Sequence, residues 1–238
     1  MFAGSLVAIV TPFKNGRVDE RALGDLIEFQ IVNGTDGIVP CGTSGESATL
    51  TYEEHDRVIE FTVEATKRRV PVIAGTGSNS TDEAITLTKH AKQVGADGAL
   101  LICPYYNKPT QEGLYRHYKT IAETVDFPLV IYNIPGRTSV NMLPATVTRL
   151  SSVRNIVAIK EGAGSLGQVS EIIQACGNRI TVLAGDDALT LPMMAVGAQG
   201  VITVTANIAP ADMAALVDAF AAGKLDQAKA LHYKLYPL

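Results

Sequence analysis

Short apolar runs alternate with longer stretches of helical spacing along the whole chain. Leu6–Val10 leads into Thr11-Pro12, and Ala22–Ile31 then carries apolar residues at helical intervals up to Gly34. Gly37–Pro40, Val70–Ala74, Ala99–Cys103, Phe127–Ile131, Ile156–Ile159, Ile180–Ala184 and Val201–Val204 repeat the strand-like half of the pattern. Helical spacing fills the intervals over Tyr52–Lys67, Thr81–Val94, Glu112–Glu123, a short segment after Pro144, Leu166–Cys176, Ala188–Val196 and Asp212–Ala221. Runs that are apolar on both faces and rich in β-branched residues suit strands buried in a parallel sheet. Eight successive β–α units predict helices packed outside such a sheet, and the count favours closure into a (β/α)8 barrel over an open doubly wound sheet. Residues 1–223 then form one barrel domain. Residues 224–238 lie beyond it, where Leu225, Ala228, Leu231 and Leu235 mark one apolar face of a further helix, Leu225–Leu235.

In a barrel of this kind the reactive groups gather at the C-terminal ends of the strands. Thr11, Thr43, Ser44, Tyr106, Tyr132, Arg137, Lys160 and Asp186 all fall just after apolar runs, so one rim collects them.

Composition changes the picture mainly by exclusion. With 47% apolar and 18% charged residues the chain has the makings of a sizeable core. A net charge of −4 offers no pull towards nucleic acid or anionic membranes. No apolar run approaches the ~18 residues of a membrane span, and Met1–Phe13 lacks the basic leader and cleavage site of a signal peptide. Cys41, Cys103 and Cys176 form an odd, widely spaced set, which suits reduced thiols in a cytoplasmic protein. His55, His90, His117 and His232 show no metal-ligand spacing, so no metal is expected, and no P-loop occurs.

The informative stretch is Ile156-Val157-Ala158-Ile159-Lys160-Glu161-Gly162. A lysine ending a buried strand has two readings. It marks where the strand meets solvent, or it is a desolvated amine whose lowered pKa frees the lone pair for attack on a carbonyl. Tyr132, at the end of the preceding strand, would serve such an amine as a proton shuttle, or is a core aromatic with its hydroxyl at the rim. Tyr105 and Tyr106 share a loop, where aromatics also mark oligomer contacts. In Gly42-Thr43-Ser44-Gly45-Glu46 two hydroxyls and free backbone N–H groups suit a carboxylate or phosphate, although a helix N-cap has the same look. Arg137 follows a Pro-Gly turn and is either a carboxylate fork or a solvated loop arginine. A rival from another class, a dinucleotide-binding oxidoreductase, rests on Gly162-Ala163-Gly164-Ser165-Leu166-Gly167, a literal G-x-G-x-x-G with Asp186 near the spacing of a ribose-binding acid. It follows the sixth strand, however, not the first of a nucleotide-binding half.

From Gly4-Ser5 through Asn207 and beyond, the chain resembles the dihydrodipicolinate synthase / N-acetylneuraminate lyase family of Schiff-base lyases. The resemblance is carried by Gly42–Glu46, by Tyr132-Asn133-Ile134-Pro135-Gly136-Arg137-Thr138 and by Ile159-Lys160-Glu161. Pro104-Tyr105-Tyr106-Asn107 and Arg137-Thr138 are similar to the synthase branch rather than to the sugar-acid aldolases. The resemblance implies a (β/α)8 barrel in which Lys160 forms a Schiff base with pyruvate. The enamine would add to L-aspartate 4-semialdehyde, and the product would cyclise to 4-hydroxy-tetrahydrodipicolinate, on the route to lysine. It further implies a proton relay of Thr43, Tyr132 and Tyr106, with Tyr106 given across a dimer interface. Thr43 and Ser44 would hold the pyruvate carboxylate, Arg137 that of the aldehyde, and Gly185 and Ile202 would line the pocket. A feedback site for lysine would map to Ser47, Ala48, His55, Asn79, Glu83 and Tyr105. The family pattern brings no cofactor, a homo-oligomer and small-molecule substrates. This chain departs from it at Ser44, where a second threonine is usual, and at Tyr52, where some inhibited members have histidine. It also ends one helix after the barrel, where members of the family continue, so an inactive short member and a sugar-acid aldolase stand as alternatives.

Overall fold

The computed structural model describes residues 2–238. Eight parallel strands form the barrel: β1 (Gly4–Ala8), β2 (Gly37–Val39), β3 (Ile73–Gly75), β4 (Gly98–Ile102), β5 (Leu129–Asn133), β6 (Ile156–Glu161), β7 (Thr181–Ala184) and β8 (Gly200–Thr203). The hydrogen-bonded order runs β2-β1-β8-β7-β6-β5-β4-β3. An Ile38–Val72 bridge and the Gly75 N–H to Pro40 carbonyl bond, 2.8 Å, join β2 to β3 and close the ring.

The helices lie outside: α1 (Glu20–Val32), α2 (Tyr52–Thr66), α3 (Thr81–Gln93), α4 (Gln111–Thr124), α5 (Pro144–Leu150), α6 (Leu166–Cys176), α7 (Thr190–Ala195) and α8 (Pro210–Ala221). Alternation along the strands divides the core in two. Leu6, Val39, Ile73, Leu100, Val130, Ala158, Leu183 and Ile202 fill the barrel interior, and Tyr132 caps that stack. Leu23, Ile59, Leu101, Leu114, Ile131, Ile159 and Ile172 fill the layer between sheet and helices. A final helix, α9 (Leu225–Leu235), packs on α8 through buried Ala228 and a Lys234–Asp212 ion pair at 2.8 Å. The expected bounds of α6 and α9 coincide with those observed.

Three differences from the sequence reading matter for the site. Strands β5 and β6 run past their apolar runs, so Tyr132 and Lys160 are the penultimate residues of strands rather than the first of loops. The segment expected as one helix over 188–196 opens with a separate turn, Asp187–Leu189, because Asp186 caps it by accepting from the Ala188 N–H at 3.0 Å. Two short pieces went unforeseen: the hairpin strands Phe13–Lys14 and Arg17–Val18, and a single helical turn, Pro135–Thr138.

Candidate active site

The strand register puts Tyr132 directly beside Lys160, and Asn133 beside Glu161. Tyr132 and Lys160 therefore share the inner face of the barrel, while Asn133 and Glu161 share the outer one. Lys160 is only 3% exposed. Its ammonium nitrogen lies 4.4 Å from the centroid of the Tyr132 ring. Burial is the main reason that its pKa falls from 10.5 to about 8; Arg137 pushes the same way and Asp187 opposes. The solvent-emergence reading of Lys160 is thereby set aside. The amine is enclosed, and a usable fraction of it is neutral near pH 8.

A cavity of about 440 Å³ opens over this amine, lined by Thr43, Ser44, Tyr132, Arg137, Lys160, Gly162, Gly185 and Asp187 among others. Gly162 and Gly185 meet at its floor. A Cβ on Gly185 would stand 3.0 Å from the Glu161 carbonyl oxygen, and one on Gly162 would stand 3.0 Å from Ile134 Cδ1. Both positions admit glycine because two loops touch there. Burial raises the Tyr132 phenol pKa, and the neighbouring Thr43 side chain acts in the opposite direction. Thr43 and Ser44 sit in an irregular loop, not at a helix start. The cap of α2 is Thr51, which completes a capping box with Glu54. The N-cap alternative for the hydroxyl pair is thus overturned. The Thr11 hydroxyl donates to the Gly45 carbonyl at 2.7 Å and ties this loop to the end of β1.

Not every expected residue joins this cavity. Ile202 belongs to the barrel interior beneath it. Tyr106 is 90% exposed, in a left-handed conformation with φ of 72°, and lines neither large cavity. A second, adjoining cavity of about 730 Å³ is lined by Ser47, Ala48, His55, Glu83 and Tyr105, and shares Thr43, Tyr132 and Arg137 with the first. Asn79 borders it through a 3.3 Å bond to the Tyr105 carbonyl. The Glu83 carboxylate accepts from the Ser78 and Tyr52 hydroxyls, which hold its pKa below the usual range. Burial lowers the His55 pKa.

The glycine-rich stretch after β6 is no dinucleotide cradle. Its Ala163 N–H is already taken by Glu161 Oε1 at 2.7 Å, and the Ser165 hydroxyl accepts from the Gln168 N–H as the cap of α6. Among the described residues, no group of three or more His, Cys, Asp or Glu side chains is placed to hold a metal ion.

Sequence reasoning missed Asp187, Asn133 and Glu161. Asp187 Oδ2 accepts from the Val204 N–H at 2.9 Å and from the Thr205 N–H and hydroxyl at 3.0 Å each, which fixes the β8 loop to the cavity wall. In sequence Asn133 and Glu161 look like the first residues of loops, and it is the strand register that keeps both in the sheet. Each follows an inward residue at a strand end, so each must face the helical layer, where a polar side chain needs partners.

A parallel barrel with a desolvated lysine at the end of its sixth strand, a phenol beside it and an arginine at the rim has the parts that an amine-nucleophile barrel enzyme needs. The comparisons narrow the class. The description "Dihydrodipicolinate synthetase family" matches residues 1–238, and the chain belongs to that family. It is 68% identical over 235 residues to the 4-hydroxy-tetrahydrodipicolinate synthase of Geotalea uraniireducens, covering 99% of this chain and 81% of that one. The crystal structure of dihydrodipicolinate synthase from Aquifex aeolicus superposes with a TM-score of 0.98 at 55% identity, over 99% of this chain and 81% of that one. The chloride-inhibited dihydrodipicolinate synthase from Acinetobacter baumannii complexed with pyruvate gives 0.96 at 50% identity, over 98% and 81%.

Proposed function

We propose that this protein is a 4-hydroxy-tetrahydrodipicolinate synthase, a lyase that condenses pyruvate with L-aspartate 4-semialdehyde in lysine and diaminopimelate biosynthesis. The carrying observation is the enclosed Lys160 amine, with its pKa lowered to about 8, set over Tyr132 in a cavity of small-molecule size. The neutral amine attacks C2 of pyruvate, and loss of water from the carbinolamine leaves an imine. Proton loss from C3 gives an enamine, which forms a carbon–carbon bond to the aldehyde. Attack of the substrate's own amine on C2 then expels Lys160 and closes the ring. Each proton needs a carrier, and the buried Tyr132 phenol with Thr43 beside it supports that role. Thr43 and Ser44 are proposed to hold the pyruvate carboxylate, and Arg137 that of the aldehyde.

Tyr106 fits the relay only if a second copy of the chain supplies it, so the reading includes a homo-oligomer in the cytoplasm. Residues 1–223 are proposed as the catalytic barrel and 224–238 as a helical extension packed on it. The adjoining cavity around Ser47, Ala48, His55, Glu83 and Tyr105, with Asn79 at its border, is proposed as a site for lysine. Tyr52 occupies Glu83 there, which weakens the anion's hold on an ammonium ligand.

Product formation from pyruvate and L-aspartate 4-semialdehyde tests the function, with sugar-acid-derived aldehydes assayed beside it. Turnover of the semialdehyde is expected. Turnover of a sugar aldehyde in its place, or pyruvate adduct without condensation, would favour the sugar-acid aldolase or the inactive member.

A further inference from the structure

On the outer face of β5 and β6, four polar side chains close a ring away from the cavity. Glu161, 1% exposed, accepts from Asn133 Nδ2 at 3.0 and 3.1 Å, from Gln168 Nε2 at 3.1 Å and from the Ala163 N–H at 2.7 Å. Asn133 Nδ2 also donates to Asn141 Oδ1 at 2.8 Å, and its Oδ1 accepts from the Met142 N–H at 3.0 Å. Asn141 Nδ2 donates to Gln168 Oε1 at 2.8 Å and completes the ring. Every partner of the Glu161 carboxylate is an N–H, and none is a cationic side chain.

The ring has a polarity that only an acid at one position can supply. Two backbone donors, Ala163 N–H and Met142 N–H, point into it at fixed places. A carboxamide brings acceptors and donors in balance, whereas a carboxylate brings acceptors alone. With a glutamine at 161, flipping Gln168 and then Asn141 only moves the mismatch along to Asn133, whose oxygen is committed to Met142. One donor is always left facing another.

What the ring holds is the arginine. Lys160 is locked by backbone ladders to Tyr132 on one side and Leu183 on the other. Residues 134–140, which carry Arg137, have no such ladder. They leave the sheet at Asn133 and pass back over its side chain at Asn141-Met142, and Asn133 pinches those two points together. We infer that Glu161 is a positioning residue: through Asn133, Asn141 and Gln168 it closes the neck of the Arg137 loop and sets the distance between Arg137 and the Lys160 amine. This rests on the proposed role of Arg137 in binding the aldehyde carboxylate. Since the ring touches the loop and not the amine, its loss is felt in aldehyde binding more than in pyruvate capture.

The test compares Glu161→Gln, the exchange Asn133→Asp/Glu161→Gln, and Arg137→Ala. Readouts are the KM for L-aspartate 4-semialdehyde, the rate of pyruvate trapping on Lys160 by borohydride, and thermal unfolding. A buried donor left unmet shifts an equilibrium by about tenfold or more. Glu161→Gln is therefore expected to raise the aldehyde KM about tenfold, with the trapping rate within about threefold of wild type. The exchange variant moves the surplus acceptor to position 133 and meets both backbone donors, so it recovers folding and KM. No recovery in either overturns the inference, as does an equal loss of trapping and of aldehyde binding in Glu161→Gln. A raised KM in Arg137→Ala with wild-type values in Glu161→Gln sinks the inference alone. An unchanged KM in Arg137→Ala sinks the carboxylate-binding reading and the inference with it.

Discussion

Lys160 and Glu161 are neighbours in sequence, both buried and both able to carry charge, yet their surroundings differ in kind. Lys160 faces the barrel interior, where Asp187, the acid that favours its ammonium, is already engaged by three donors from Val204 and Thr205. Glu161 faces the helical layer, where three groups donate N–H bonds to it. The same strand thus buries an amine with a single acid, Asp187, to favour its charge, and a carboxyl whose N–H donors offset, without cancelling, the upward push of burial on its pKa. Burial alone does not make a group reactive. A buried group becomes reactive when the fold withholds the partners that would stabilise its charged form.

The contrast is broken most severely at the amine. Lys160→Met should abolish pyruvate trapping and lower turnover more than about 10³-fold. It should also stabilise the fold, by up to about 3 kcal/mol near pH 7, since each pKa unit corresponds to ~1.4 kcal/mol. The sign follows from the lowered pKa of about 8 against 10.5. Below pH 8 the folded state bears the cost of a buried ammonium in full, and that cost fades as pH rises towards 10.5. Denaturant unfolding of both proteins at pH 7 and pH 10 checks this: the gap between them should narrow at the higher pH.

Tyr132→Phe should reduce kcat about 10²-fold with little change in stability, as expected for a lost proton carrier. Arg137→Ala should raise the aldehyde KM by roughly 10–100-fold. It should also shift the acid limb of pyruvate trapping to higher pH, because the guanidinium now helps to hold the lysine pKa down. On the outer face, Glu161→Gln should cost about 1–3 kcal/mol in chemical denaturation, opposite in sign to Lys160→Met. Asp187→Asn should have the smallest effect, moving the acid limb of trapping slightly to lower pH by removing the one charge that favours the ammonium.

The barrel was legible because its signal is periodic: apolar runs of strand length separated by helical faces determine the β–α alternation without reference to distant residues. The cap of α2 was misplaced, since the hydroxyl pair Thr43-Ser44 has the look of an N-cap while the capping box lies at Thr51 and Glu54. Lys160 was readable as an anomaly, a charge where a buried strand should be apolar. Asn133 and Glu161 were not, because a polar residue after an apolar run looks like the start of a loop. Only the register of β5 against β6 shows that both remain in the sheet and face each other. Tyr106 shows the opposite limit, since one chain places it in solvent and its motif alone cannot say what meets it.

Whether Lys160 is a desolvated nucleophile for pyruvate is decided by trapping with borohydride across about pH 6–10, followed by peptide mass mapping. A reduced pyruvate adduct is expected on the Lys160 peptide, with an initial rate that rises with pH and bends near 8. An unmodified Lys160 peptide, or a rate that keeps rising to the ordinary lysine range near 10.5, would contradict that role.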